Sequence, residues 1–276
     1  MRKLLMANFS RVWRDKVFRI MMVLMLLAGA ALPIIHYIDN KNNDNSWTPD
    51  SSLFSYGLLV PILLSVFTAF FVGTEYSDGT IRNKLIAGHH RKYIYLANLI
   101  ASITVGLLFS IAFLFPHTCI GIPLLGGYKT EFQTILLYIG LNMALMMVFV
   151  AIYTLIAMLC QNKAYTVAGC ILLVFALLFL GVHIISALNE PEYYEGYSYT
   201  ENGVTIEEEE MENPNYLSGT KREVYEFLQD FTPGSQVIKV SNMNADKPLR
   251  LALYDGIILA VATGCGIVIF ERKDLK

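Results

Sequence analysis

Six apolar runs, each of about 20 residues, alternate with short polar segments along the chain. The runs cover residues 20–38, 54–72, 94–115, 135–159, 165–188 and 251–270. A helix of about 20 apolar residues is long enough to cross the hydrocarbon core of a bilayer. The pattern therefore predicts an all-α integral membrane protein with six transmembrane helices.

Composition supports this fold class. The 276 residues are 55% hydrophobic and only 16% charged, and the mean hydropathy is +0.48. The first run continues past the cleavage-like sequence Ala28-Gly29-Ala30, which favours a spanning helix over a removed signal peptide.

The first nineteen residues differ from the runs because they are basic as well as apolar. Cations recur between apolar residues throughout residues 1–19; they are Arg2, Lys3, Arg11, Arg14, Lys16 and Arg19. Such a mixture is typical of an amphipathic helix that lies on a membrane surface. We expect an interfacial helix here, ahead of the spanning helices of residues 20–188.

The distribution of lysine and arginine predicts the orientation. Cytoplasmic loops are enriched in these residues, and six spans bring both chain ends to one side. With both ends inside, the inner side receives fourteen of the 21 basic residues: six in residues 1–19, four in residues 72–92, Lys163, and three in the tail. The chain is thus predicted to be N-in and C-in.

A long acidic segment then faces outward. Residues 189–248 contain thirteen acidic and four basic residues, and short re-entrant helices are predicted to begin in residues 221–231 and 236–240. The acidic run in residues 207–212 has two interpretations. A solvated charge run is the favoured one, and an electrostatic collector for a cationic substrate is the other. Residues 249–276 supply the last span and a cytoplasmic tail.

Motifs for catalysis are absent. The sequence contains no G-x-x-x-x-G-K-[ST], HExxH, G-x-S-x-G or CxxC, and its four cysteines lie in or beside apolar runs. We therefore predict a non-enzymatic chain that itself holds no metal or cofactor. No nucleic-acid partner is expected for a chain whose principal environment is a lipid bilayer.

A polar island in residues 72–91 interrupts the apolar runs. Ser77 or Asp78 can cap a helix over residues 79–87, and Gly88 can end it. Ile81, Leu85 and Ile86 form an apolar edge on this helix. Two interpretations stay open from spacing alone: a docking helix for a cytoplasmic partner, or a basic loop that contacts lipid headgroups.

The island also carries a family resemblance. Its sequence EYSDGTIRNK, residues 75–84, resembles the E-x-x-x-G-T-x-(R/K)-x segment that follows the second span in permease subunits of type-2 ATP-binding-cassette exporters of the bacterial peptide and drug type. The resemblance implies that residues 75–88 form a coupling helix on a separate ATPase dimer, which would carry ATP and Mg²⁺. The residues that it assigns to coupling are Glu75, Asp78, Gly79, Thr80, Arg82 and Lys84, with Gln161 and Lys163 as a second contact. It also implies a second permease copy or a close paralogue.

Polar residues inside the runs are candidates for a substrate pathway. Asn142 and Tyr153 lie in the fourth run and Asp255 in the sixth. Polar groups within spans also form hydrogen bonds between helices, so both roles remain open for them.

The expected function is that of a permease in the plasma membrane, in a bacterium, exporting an amphipathic peptide, drug or lipid-like molecule. A secondary transporter is disfavoured because we find no charged residue at mid-span and no inverted repeat. A non-transporting anchor or sensor that recruits a cytoplasmic partner is the other alternative.

Overall fold

The computed structural model of the chain describes residues 1–194, 198–201, 204–207 and 210–273. Its helices are α1 (Arg2–Arg14), α2 (Lys16–Asn43), α3 (Asp50–Leu53), α4 (Tyr56–Ser77), α5 (Thr80–Ile86), α6 (Arg91–Leu125), α7 (Phe132–Cys160), α8 (Lys163–Leu188), α9 (Gly219–Phe231), α10 (Pro233–Ser241) and α11 (Pro248–Arg272). Six helical segments in this part of the chain are long and apolar enough to span a membrane: α2, the segment Asp50–Ser77 that contains α3 and α4, α6, α7, α8 and α11. The predicted six-span, all-α membrane fold is confirmed.

The six spans differ in how central they are in the bundle. In their most apolar segments, 61% of the residues of α4 and 56% of those of α7 are buried, but only 22% in α8 and in α11. The peripheral helices α2, α8 and α11 are nonetheless apolar on their exposed faces, as at Leu27, Phe179 and Val261. Apolar side chains on the outside and a close-packed interior are what a lipid solvent selects.

The basic N-terminal segment is helical, but its helix is shorter than predicted. Helix α1 ends at Arg14, and the Asp15 carboxylate accepts hydrogen bonds from the backbone N–H groups of Val17 and Phe18 at 2.7 and 3.1 Å. Asp15 thereby caps α2, because its side chain satisfies N–H groups that have no partner within the helix. The chain turns at this residue, and α1 packs along α6.

Both described chain ends lie at one end of the bundle. The Arg91 side chain, at the start of α6, donates hydrogen bonds to the carbonyl oxygens of Phe270 and Glu271 at the end of α11, each at 3.2 Å. The same end carries α1, which packs against the beginning of α6 through its buried face. Which side of the membrane this end faces stays a prediction.

The segment between α8 and α9 contains strands that the sequence did not predict. Strand β1 (Tyr193–Tyr194) pairs antiparallel with β4 (Met211–Glu212), and β2 (Ser198–Glu201) pairs antiparallel with β3 (Val204–Glu207). Alternating tyrosine, threonine and β-branched residues favour strands even in an acidic stretch. Part of the acidic run 207–212 lies outside the described residues, so its two interpretations stay predictions.

Helix α10 is inserted among the spans, where it packs against α4, α7 and α8. Most of its residues are buried, including Gln236 and Val240. Its approach to α8 depends on two glycines. A Cβ on Gly234 would lie 1.8 Å from the Leu177 carbonyl oxygen, and one on Gly181 would lie 2.5 Å from the Gly234 carbonyl carbon. The backbones of α8 and α10 therefore touch directly.

The glycines of α11 face two different environments. A Cβ on Gly266 would meet the Tyr95 hydroxyl oxygen at 2.1 Å, so this glycine lets α11 pack on α6. At positions 256 and 264, an added Cβ would have no atom of the described residues within 4 Å. The helix thus has one face closed against its own chain and one face open.

We expect Gly181→Ala to destabilise the bundle, because the added methyl group meets the α10 backbone. Overpacking of this kind costs about 1–3 kcal/mol, measured as a lower unfolding temperature in detergent. Gly256→Ala is the matched control, since that position in α11 is open and alanine favours a helix. Equal unfolding temperatures for the two variants would show that the α8–α10 contact is not close-packed.

Candidate functional site

A buried carboxylate stands where the polar island begins. Glu75 lies in the last turn of α4 and is 0% exposed, although it is charged and only two residues from the end of the helix. A charge is costly to bury unless it is paired and hydrogen-bonded. Its surroundings meet that requirement.

Two cations and an amide surround the Glu75 carboxylate. Arg11 of α1 donates to Oε1 through Nη1 at 2.5 Å, and Lys84 of α5 forms an ion pair with the same oxygen. Asn98 of α6 donates to Oε2 at 2.9 Å. One side chain of α4 thus binds one residue from each of three other helices.

Further contacts join these partners to one another. Asn8 of α1 donates to Asn98 Oδ1 at 2.8 Å and accepts from Lys84 Nζ at 3.1 Å. Arg11 also donates to the Phe71 carbonyl oxygen at 3.0 Å, and its guanidinium lies 3.7 Å from the Phe71 ring centroid. We refer to Asn8, Arg11, Glu75, Lys84 and Asn98 as the Glu75 cluster.

Burial affects Lys84 in particular. Desolvation lowers the pKa of its ammonium group, while the nearby Glu75 carboxylate opposes that shift. Because its charge is used inside the cluster, Lys84 is largely out of reach of a partner protein, and so is Glu75. Lys84 and Glu75 could therefore affect coupling only by fixing the position of α5.

Helix α5 agrees with the predicted docking helix in extent but not in its cap. It begins after Gly79, which has φ +66°, and no side chain caps it. The capping role predicted for Ser77 or Asp78 is wrong: Ser77 Oγ donates to the Thr74 carbonyl and to Asp78 Oδ1 instead. A left-handed residue is needed to turn the chain from α4 into α5, and glycine supplies it without steric cost.

The end of α5 is as predicted. Gly88 has φ +82°, its N–H donates to the Leu85 carbonyl, and the His89 N–H donates to the Lys84 carbonyl. This pair of bonds is the Schellman arrangement that ends helices at glycine.

One face of α5 is buried and the other is open. Ile81 is 2% exposed and packs into the core, whereas Arg82 is exposed and Ile86 is 78% exposed. Arg82 and Ile86 are four residues apart and so lie on the same side of the helix. We call Arg82 and Ile86, together with the exposed Asp78 just before the helix, the open face of α5; the half-buried Gly79 and Thr80 border it.

The second predicted contact lies beside the first. A cavity of about 240 Å³ is lined by residues 75–77, Gly79, Ile81, Arg82 and Gln161. Tyr76 donates from its hydroxyl to the Met158 carbonyl at 2.5 Å, which ties the end of α4 to the end of α7. The island and the α7–α8 link therefore share one surface.

The α7–α8 link is itself well ordered by local contacts. Gln161 has φ +50°, and the Asn162 side chain caps α8 by accepting from the N–H groups of residues 164 and 165. The Lys163 ammonium lies 4.9 Å from the Phe70 ring centroid, and its side chain packs where Gly73 leaves room. The start of α8 is thereby fixed against the end of α4.

A family model described as ABC-2 family transporter protein matches residues 4–179, more than half of the chain. The chain belongs to the ABC-2 transporter family. Among curated proteins, none matches it significantly. The matched region of this ABC-2 protein contains the whole Glu75 cluster and the link after α7. Members of the family are membrane components of transporters and are generally not the catalytic subunit.

The predicted pathway residues of this ABC-2 permease are buried rather than arranged along an open channel. Asn142 donates to the Tyr138 carbonyl of its own helix, and its Oδ1 packs on Gly57. The space beside it is about 10 Å³, close to the volume of one water molecule. Tyr153 and Asp255 are also buried, at 0% and 2% exposure. Their role in transport stays a prediction.

Sequence reasoning missed three members of the cluster: Asn8, Arg11 and Asn98. One signal was available, because Asn8 falls at the four-residue spacing of the buried Leu4 and Val12. A polar residue on an apolar stripe calls for a buried partner. Arg11 resembled the other N-terminal cations, and only the folded chain shows that it binds Glu75.

We expect Glu75→Gln to destabilise the bundle, because Arg11 and Lys84 would then face each other across a neutral amide. Removing one partner of a buried ion pair costs about 3–5 kcal/mol. The measurement is the unfolding temperature in detergent, together with protease sensitivity of the α5 segment.

Asp78→Asn is the matched control for Glu75→Gln. It removes a carboxylate three residues away that is exposed and bonded only to Ser77 among the described residues, so the unfolding temperature should not change. A Glu75→Gln variant as stable as Asp78→Asn would contradict the structural role of the cluster.

Proposed function

We propose that this ABC-2 protein is the permease subunit of an ATP-driven exporter, coupled to a separate ATPase dimer through the open face of α5. ATP and Mg²⁺ would be bound by that ATPase. The transporter would reside in the plasma membrane of a bacterium, with the α5 end of the bundle in the cytoplasm.

The Glu75 cluster is the observation that supports coupling most strongly. A helix as short as α5 has little stability of its own. Its contacts with α1, α4 and α6 hold it at a fixed position, so that a displacement of α5 by a partner is passed to the spans. A loop that only contacted headgroups would not need a buried carboxylate between two cations.

The open face of α5 has the chemistry of a docking surface. Arg82 offers a planar group of donors and Ile86 an exposed apolar side chain, beside a cavity of about 240 Å³. Arginine and buried apolar residues are the usual anchors of protein interfaces. An ATPase loop that inserts a side chain into the cavity, next to Gln161, would contact both predicted coupling segments at once.

Two permease copies, or one copy and a paralogue, would be needed for transport. The described residues leave about 10 Å³ beside Asn142, too little for any substrate. A route would therefore form between chains, along the exposed apolar faces of the peripheral helices. Such faces suit amphipathic substrates, such as a peptide antibiotic, a drug or a lipid-like molecule.

We expect Arg82→Glu to weaken ATPase binding at least about fivefold, as loss of a central interface arginine costs more than about 1 kcal/mol. The measurement is the amount of ATP-binding-cassette ATPase that co-purifies with the solubilised chain, followed by its ATP hydrolysis rate. Lys92→Glu makes the same charge change outside the open face and should leave both unchanged.

Two outcomes would contradict this proposal. If the unaltered chain co-purifies with no such ATPase, the coupling role fails. If an ATPase binds and hydrolyses ATP but vesicles show no ATP-dependent movement of amphipathic substrates, the chain serves as a membrane anchor or sensor instead.

A further inference from the structure

A charged cavity lies at the opposite end of the bundle from the Glu75 cluster. It measures about 390 Å³ and is bordered by the end of α8, by α9 and α10, and by the start of α11. Its lining contains four cations, Arg222, Lys239, Lys247 and Arg250, and three carboxylates, Glu226, Asp230 and Asp246. The lining therefore has one more cation than carboxylates.

The carboxylates near α9 are already bound. Asp230 Oδ1 accepts from Lys239 Nζ at 2.9 Å, and Asp230 Oδ2 forms an ion pair with Arg250 Nη1 at 3.5 Å. Glu226 pairs with Arg222 Nε at 3.2 Å. Asp230 thus divides a single negative charge between two cations.

Several hydrogen-bond donors of the lining cations remain unused. In the described part of the chain, neither the Lys247 ammonium nor the terminal nitrogens of Arg222 have a hydrogen bond or ion pair to another group, and Arg250 uses only Nε and Nη1. Asp246 is the one carboxylate of this lining without a recorded partner. A ligand bound by these unused donors must supply acceptors, and negative charge would strengthen its binding.

We propose that this cavity binds the phosphate of an anionic lipid headgroup. Two guanidinium groups and an ammonium match a phosphate well, because guanidinium binds phosphate oxygens through parallel donors. The position next to exposed apolar side chains favours a lipid over a free anion. Leu249 is 83% exposed and Leu253 is 59% exposed, one turn apart at the start of α11, beside Arg250. The acyl chains would lie along these leucines while the phosphate enters the cavity.

Occupancy by a headgroup would join three elements at the end of the bundle opposite the Glu75 cluster. Arg222 belongs to α9, Lys239 to α10, and Lys247 and Arg250 to the start of α11. A bound phosphate would neutralise their excess charge and hold α9 and α10 against α11. Lipid binding needs no ATPase, so the test below can fail or succeed independently of the proposed export function.

The test uses the full chain in nanodiscs of phosphatidylcholine that contain spin-labelled phosphatidylglycerol. The motionally restricted fraction of the label reports lipid bound to the protein, and spin-labelled phosphatidylcholine gives the reference. We expect the restricted fraction to favour phosphatidylglycerol, and Lys247→Gln to reduce that preference about fivefold, the effect of losing one hydrogen bond of about 1 kcal/mol to the phosphate. Lys247 is exposed and caps no helix through its side chain, so this variant should fold normally.

Lys221→Gln is the matched control, because Lys221 is an exposed cation of α9 that does not line the cavity. Its preference should stay within about twofold of the unaltered chain, as expected for an isolated surface charge. Equal losses in the two variants, or no preference for phosphatidylglycerol in the unaltered chain, would overturn the proposal. Full displacement of the labelled lipid by inorganic phosphate would assign the cavity to a free anion and would overturn it too.

Discussion

The placement of one carboxylate constrains the end of the bundle that carries α1 and α5. Glu75 is fully buried at the end of α4 and is bound by Arg11, Lys84 and Asn98 from three other helices. A buried ion cluster adds little net stability over an apolar core, but it penalises every arrangement that separates its members. The cluster therefore specifies where α1 and α5 lie relative to the spans more than it strengthens the fold.

The two ends of the bundle are held together by different physical means. At the end that carries α5, charged side chains join helices that would otherwise be separate amphipathic segments. At the end that carries α10, Gly181 and Gly234 allow α8 and α10 to touch backbone to backbone, and no charge is involved in that contact. Charge pairs tolerate small rotations, whereas close backbone contacts favour discrete packing states. A displacement of α5 would reach α10 through α4, which packs against both helices.

The spans could be predicted from sequence because lipid demands runs of apolar residues whatever the tertiary packing. The extent of α5 also followed from local chemistry, since Gly88 ends a helix wherever the chain needs a left-handed residue. The partners of Glu75 could not be predicted, because Arg11 and Asn98 are distant in sequence and resemble ordinary surface or span residues. The strands at β1 and β4 were missed for the same reason, as the pairing joins residues 193–194 to 211–212.

Distance measurements during turnover test most directly whether the Glu75 cluster makes α1 and α5 one unit. Spin labels at Met6→Cys and Asn83→Cys, both at exposed positions, would report the α1–α5 distance after the natural exposed cysteines are replaced. With the ATPase bound, we expect the same narrow distance distribution with and without ATP, and a broad one in the Glu75→Gln background. A distance that changes with ATP while Glu75 is intact would contradict the account.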